Sequence, residues 1–390
     1  MGFNNDLEKE IQHVLQTAAN SIDPTQGHEQ RMKQKLLQRC PEMKKKIAVI
    51  FGGCSPEYSV SLHSAYSVIS HMDKTKYEPV LVGISSNGRW FRFEGDIEKI
   101  ESDTWCNDTD CTPVTVSPSR IEHNLLLLRK DKVTKVPIDV AFPVLHGKNG
   151  EDGTVQGVFE LAGIPVVGCG VLSSAICMDK DRAHKLVHAS GVSVPASFVL
   201  EKNVNVEGLM ECAEKIGYPL FVKPVKAGSS YGITKVINRN GLPAAMESAF
   251  AYDEKIIIEE CISGFEVGCA VLGNDTLTVG EVDEIELSDG FFDFTEKYTL
   301  KTSAIHVPAR IAAETAEKIK QTAQIIYRAL DCRGFARVDM FLSGSGQIVF
   351  NEVNTIPGFT AHSRFPNMMK AVGISFEQII STAIELAVTL

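Results

Sequence analysis

From Lys46 onward the chain alternates short apolar runs with stretches that are apolar only at helical spacing. "KIAVIFGG" reads as a buried strand closed by glycines. "VSLHSAYSVISHM" follows, with Val60, Ser64, Ala65, Val68, Ile69 and Met72 on one helical face. "PVLVGIS" is a second strand, and an Asn87-Gly88 turn signal separates it from "RWFRF". "VPIDVAFPVLHG" and "GIPVVGCG" supply further strands. Strands separated by helices join in parallel through crossovers, so residues 44–170 are expected to form a doubly wound parallel α/β sheet. The polar stretch "ESDTWCNDTDCTPVTVSPSR" within them is expected to be a surface excursion.

The remaining chain is patterned differently. Residues 171–265 crowd "PLFVKP", "GITKVIN" and "KIIIEECI" around one helix at "GLPAAMESAFAYD", which predicts an antiparallel α+β unit. Residues 266–390 carry an amphipathic helix in which Ala312, Ala316, Ile319, Ala323, Ile326 and Leu330 recur at helical spacing. Residues 1–43 hold Leu7, Ile11, Val14, Leu15 and Ala18 at the same spacing, then the breaker "DPTQG" and a basic stretch; they read as a non-catalytic extension.

Composition narrows the partners. A net charge of −10 opposes binding to a nucleic-acid backbone, which needs clustered Lys and Arg. The 10 cysteines include no CxxC pair, which points to free thiols and a cytoplasmic location. No apolar run reaches the ~18 residues of a membrane span, so no membrane partner is expected.

The chemistry concentrates in "GFARVDMFLSGSGQIVFNEVNT". Two strand-like runs, 335–342 and 347–355, flank "SGSG", a tight-turn signal. Side chains alternate faces along a strand, so Arg337 and Asp339 share one face while Ala336, Val338, Met340 and Leu342 take the other. Glu352 and Asn354 likewise share a face, and folding back at the turn brings Asp339 opposite Glu352. Two carboxylates and an amide beside an arginine form an all-oxygen site suited to Mg2+ with phosphate. The plain alternative is a surface salt bridge between Arg337 and Glu352. "VKPVKAGSSYG" adds Lys223 at a strand end, followed by a turn of small residues through which backbone N–H groups could meet phosphate. Lys180 stands at a helix start in "MDKDRAHK".

With "HGKNGEDGTVQG" these blocks resemble the D-alanine–D-alanine ligase family of the ATP-grasp superfamily, from about Lys46 to the C-terminus. The resemblance implies an ATP-grasp fold of three domains: 44–170, a central 171–265 and a C-terminal 266–390. It also implies ATP as cosubstrate with Mg2+ (two ions, Mn2+ substituting) and a homodimer. By position, Lys180, Lys223, Ser230 and Lys297 would meet the phosphates. Glu259, Glu260 and Ile262 would form the adenine hinge, and Glu266 would hold the ribose. Many members have lysine where Glu260 stands, so that hinge contact must rest on backbone atoms. Asp339, Glu352 and Asn354 correspond to the magnesium ligands. Arg337 and the Gly358 N–H would face the oxyanion of a tetrahedral intermediate. Glu57 would take the ammonium of the first D-alanine with His146 near its carboxyl group. Tyr298, on the closing loop "FFDFTEKYT", would link Ser229 and Glu57.

The second substrate is read from two positions. Ligases making D-alanyl-D-lactate lack the Tyr298 counterpart, so a dipeptide is expected. "HSRFP" places Arg364 after Ser363, where D-alanine–D-alanine ligases usually have leucine. Arginine there, with Phe292 in place of tyrosine, resembles the D-alanine–D-serine ligases of the VanC and VanG resistance types, the VanG type most of all. Its donors could hold a substrate hydroxyl; alternatively Arg364 pairs with an acid at the pocket rim and selects nothing. The readings kept open are a D-alanine–D-serine ligase conferring vancomycin resistance, a housekeeping D-alanine–D-alanine ligase, and a non-catalytic ATP-binding sensor. "GGCSPE" after the first strand is not GxGxxG, which excludes a Rossmann dehydrogenase.

Overall fold

A computed structural model describes residues 44–107, 109–202, 206–228, 231–287 and 303–389. Ser229, Ser230, Phe292, Lys297 and Tyr298, together with the N-terminal extension, lie outside the described residues.

The first sheet is seven-stranded in the order β6-β5-β4-β3-β2-β1-β7. Its strands are β1 (Lys45–Gly52), β2 (Tyr77–Ile84), β3 (Trp90–Phe93), β4 (Cys111–Val116), β5 (Asn124–Arg129), β6 (Lys132–Pro137) and β7 (Val140–Pro143). The expected parallel pairing holds at β1, which runs parallel to β2 across the helix Tyr58–His71 and parallel to β7 on its other edge. Beyond β2 every pair is antiparallel, with short turns joining β2 to β3 and β5 to β6. The supposed surface excursion needs correcting, because Cys111–Val116 is a strand paired on both edges. Its Val114 is buried while its polar neighbours face water, an alternation diluted by Thr and Pro in the sequence. The helix Tyr58–His71 and the C-terminal helix Phe376–Val388 supply Leu62, Ala65, Val68, Ile380 and Ile384 to one face of this sheet. The helix Thr154–Leu161 supplies Val155 and Phe159 to the other.

A four-stranded antiparallel sheet, β10-β9-β11-β8, comprises β8 (Ser197–Glu201), β9 (Leu220–Pro224), β10 (Thr234–Val236) and β11 (Lys255–Glu260). The helix Leu242–Phe250 covers it through Leu242, Ala245 and Ala249. The third sheet, β14-β13-β12-β15-β16, contains β12 (Gly264–Gly273), β13 (Leu277–Leu287), β14 (Ser303–His306), β15 (Phe335–Ser343) and β16 (Ile348–Asn354). The expected amphipathic helix, Ala313–Ala329, presses Ile319, Ala323 and Ile326 against Val267, Val282, Val338 and Met340. One face of this sheet is therefore apolar and sealed, and its polar residues are sent to the other face.

All nine described cysteines are free. Among the described residues no single helix is long and apolar enough to cross a membrane.

Candidate active site

Strand register assembles the polar face. Gly268 on β12 pairs with Asp283 on β13 and with Asp339 on β15, and Asp339 pairs with Glu352 on β16. Directly opposed residues share a face, so three carboxylates and one glycine form a single row across four strands. The adjacent row joins Ala270, Arg337 and Asn354. A register irregularity follows Asp339, so the regular alternation of β15 against β16 ends at this row.

Arg337 grips Asp339 through two nitrogens: Nε donates to Oδ1 at 2.8 Å and Nη2 to Oδ2 at 2.7 Å. The surface pairing of Arg337 with Glu352 is therefore not what forms. Burial works against the Arg337 charge, and the Asp339 carboxylate overrides it, raising the guanidinium pKa. Asn354 Nδ2 donates to Asp339 Oδ2 at 2.8 Å, which turns the amide nitrogen to Asp339 and leaves the side-chain oxygen to accept a hydrogen bond or ligate a cation. Glu352 lines the adjoining cavity, with Lys180 Nζ 3.7 Å from its Oε2. Among the described residues no cluster of three His, Cys, Asp or Glu side chains forms a complete metal cage. Two carboxylates and an amide oxygen still fit a hard cation that completes its shell with phosphate oxygens.

The cavity, of about 360 Å3, lies between the second and third sheets. Seven expected residues line it: Lys180, Lys223, Glu259, Glu260, Ile262, Glu266 and Glu352. Lys180 opens the helix Lys180–Ala189, whose N-cap Asp179 accepts from the Arg182 N–H, and its ammonium donates to Ala227 O at 2.8 Å. Lys223 Nζ is 2.5 Å from Glu259 Oε2. Burial raises the Glu259 pKa most, yet Lys223 and His184 together hold it below the usual range. Glu260 spends Oε2 on the Ala196 N–H, so its side chain is turned to its own scaffold. Sequence reasoning missed Phe221, Ile233, Lys235 and Phe341 in this lining. Period two could have found two of them: Phe221 shares a strand face with Lys223, and Phe341 sits two residues beyond Asp339.

A second cluster lies beside the first sheet. Glu57 and His146 are both buried. His146 Nδ1 donates to Ile356 O at 2.9 Å, so Nε2 accepts from the Ser64 hydroxyl at 3.0 Å. Burial drives its pKa down against the pull of Glu57, leaving a neutral ring. Both imidazole nitrogens are thus committed within the protein, which weakens the expected contact with a substrate carboxyl group. Gly358 lies beside Ser363, where an added Cβ would meet Oγ at 3.1 Å. Ser363 Oγ is 2.8 Å from Thr360 Oγ1 and accepts the Thr360 N–H.

Arg364 is the largest departure. It is 8% exposed and lies under the polar row. Nε and Nη2 donate to the two oxygens of Asp283 at 2.7 and 2.8 Å, and Nη1 donates to Glu266 Oε1 at 2.9 Å. Nη2 is also 3.4 Å from Asp339 Oδ1. A Cβ at Gly268 would stand 2.4 Å from Nη2, so the guanidinium occupies the space that glycine leaves. Burial opposes its charge, and Asp283, Asp339 and Glu266 prevail, pushing the pKa upward. The pairing reading of Arg364 is right about acids and wrong about a rim. Asp283 is 0% exposed, and the sequence offered no signal for it.

An ATP-grasp arrangement with this acidic row and two buried lysines lining the cavity defines a class of ATP-dependent ligases. The family models for the N-terminus and C-terminus of D-ala D-ala ligase match residues 46–169 and 186–385, and the chain belongs to that family. The solved VanG D-Ala:D-Ser ligase from Enterococcus faecalis is 56% identical, with a TM-score of 0.81 over 88% of this chain and 100% of that one. The vancomycin C-type resistance protein VanC1 of Enterococcus gallinarum is 45% identical over 88% of this chain and 98% of its own length. A D-alanine–D-alanine ligase of Caldicellulosiruptor bescii is also 45% identical, over 88% of this chain and 95% of its own. Overall identity to these last two does not choose the second substrate.

Proposed function

We propose that the chain is a cytoplasmic ATP-dependent ligase that joins D-alanine to D-serine through D-alanyl phosphate, supplying modified peptidoglycan precursors and vancomycin resistance. The observation that carries the second substrate is the buried Arg364 fixed on Asp283 and Glu266. Three of its five N–H groups are committed to those acids and Nη2 also lies 3.4 Å from Asp339 Oδ1, which leaves Nη1 one hydrogen for a substrate hydroxyl. Such a bond to a charged donor contributes roughly 1.5–3 kcal/mol. A D-alanine methyl in its place would leave that donor unpaired. The likeness to the VanG ligase supports the same choice.

In this reading Lys180 and Lys223 neutralise the triphosphate, while the backbone from Glu260 to Ile262 holds the base. Phosphate transfer to the first D-alanine turns a poor leaving group into a good one, and the work of the protein is positioning and charge neutralisation. Glu57 orients the ammonium of that D-alanine. Arg337 and the Gly358 N–H stabilise the oxyanion formed when the second amine attacks; one such donor contributes about 10²–10³ in rate. Magnesium at Asp339, Glu352 and Asn354 would supply charge compensation at the phosphates. Tyr298 and Lys297 would close the site, Ser229 and Ser230 would meet substrate and phosphate, and Phe292 would border the second subsite.

The deciding assay measures ATP-dependent phosphate release with D-alanine alone and then with D-serine added, and identifies the dipeptide. D-alanyl-D-serine is the expected main product. D-alanyl-D-alanine as the main product under competition would return the chain to the housekeeping reading, and no turnover would favour the sensor.

A further inference from the structure

β16 ends on Asn354 and the turn after it carries Gly358; the anchors of that turn come from the N-terminal half of the chain. The Ile356 N–H donates to Glu151 Oε1 at 3.1 Å, and the Ile356 carbonyl accepts from His146 Nδ1 at 2.9 Å. The Phe359 N–H reaches Ser64 Oγ at 3.4 Å. Thr355 Oγ1 approaches the Glu151 carbonyl at 3.5 Å. Phe359 packs on Phe335 of β15 at 5.1 Å between ring centroids, and these bonds from the N-terminal half of the chain fix the polar groups of the turn.

Glu151 has a second attachment. Its Oε2 accepts the Gly147 N–H at 2.8 Å. Gly147 is the wall against which Glu57 rests: with φ at +72°, a Cβ there would lie 2.2 Å from Glu57 Oε2. One carboxylate therefore bonds at once to the wall of the Glu57 subsite and to the turn that carries the oxyanion donor. Only a side chain that accepts on both ends can do this. An apolar residue of the same volume would leave two buried N–H groups unpaired. Burial makes a carboxylate costly here, so its presence calls for a reason beyond filling space.

We infer that Glu151 is a positioning residue for the ligation step, holding the Gly358 amide at a fixed distance from the Glu57 subsite. The inference rests on the ligase reading above. A slackened turn would leave nucleotide binding intact, because Lys180, Lys223 and the hinge are attached elsewhere, and would slow the reaction. Misplacement by about 1 Å can cost on the order of 10²-fold in rate.

The test uses the full chain with two substitutions. Glu151→Gln keeps the length but sets an NH2 against one of the two N–H groups, whereas Glu151→Asp keeps the carboxyl group but is too short to span both. Steady-state phosphate release with D-alanine and D-serine gives kcat, and calorimetry gives ATP affinity. The expected result is a loss in kcat of roughly ten- to a hundredfold in both variants with ATP affinity held within about twofold. If one variant does not fold, the other decides. A folded variant with kcat within about twofold of the parent overturns the inference, as does a kcat loss matched by an equal loss of ATP affinity. A parent chain that releases no phosphate at all would overturn the ligase reading itself.

Discussion

Arg364 cannot be tested by simple removal. Arg364→Leu would leave Asp283 fully buried without its cation, and breaking such a pair costs about 3–5 kcal/mol. A stability defect of that size would be read as lost selectivity. Gly268→Ala is the sharper probe, because its methyl would stand 2.4 Å from Arg364 Nη2 and 2.6 Å from Asp283 Oδ1 while every charge is retained. The expected outcome is a D-serine over D-alanine preference reduced by roughly tenfold, about the value of one charged hydrogen bond, with ATP affinity kept. An unchanged product ratio in competition would mean that Arg364 does not select. Glu151 gives a separate prediction in pH. Burial first, and the Glu57 charge second, push its carboxyl up to about 8. A folded pKa above the unfolded value means that the folded chain holds this proton more tightly. Its contribution to stability is therefore full below about pH 4.5 and declines as pH rises toward 8. Glu151→Gln removes that dependence, so its melting temperature should gain on the parent between pH 5 and 8. A difference that stays constant with pH would refute the shift.

At the scale of elements, the helix Lys180–Ala189 places the Lys180 ammonium at the cavity by its first residue. Asp179 caps it and is buried, with Arg182 and Lys226 paired to its carboxylate. Asp179→Ala should cost about 1 kcal/mol of stability through the lost cap. It should also weaken ATP binding more than it slows turnover at saturating ATP, since Lys180 is the residue displaced. Equal KM values for ATP in variant and parent would dissociate the cap from the phosphate site. The hairpin was legible at this scale, because period two and a Ser-Gly turn fix which residues share a face, and Asp339 pairs with Glu352 as the fold-back demands. The strand at Cys111–Val116 was not, because an antiparallel strand with one wet face needs few apolar residues.

For the whole molecule, the matched relatives are covered nearly end to end by 88% of this chain, and the first strand begins at Lys45. A chain starting at Lys44 should therefore keep the turnover of the full one. Abolished activity in a folded truncation would give residues 1–43 a catalytic role. The covering of the first sheet by the last helix, Phe376–Val388, makes the opposite prediction for the C-terminus, where deletion would strip Ile380 and Ile384 from the core.

The sequence by itself determined the local chemistry: the acidic hairpin, the lysines at a strand end and a helix start, and the loop that brings Gly358 and Arg364. Each follows from a periodicity or a turn spanning a few residues. Only the tertiary structure decided what those groups meet. Asp283 reaches Arg364 because the register of β12 and β13 sets it beside Gly268, and Glu151 reaches Ile356 across 205 residues. Both are pairings of distant strands and loops, fixed by how sheets close and pack, and no local pattern encodes them.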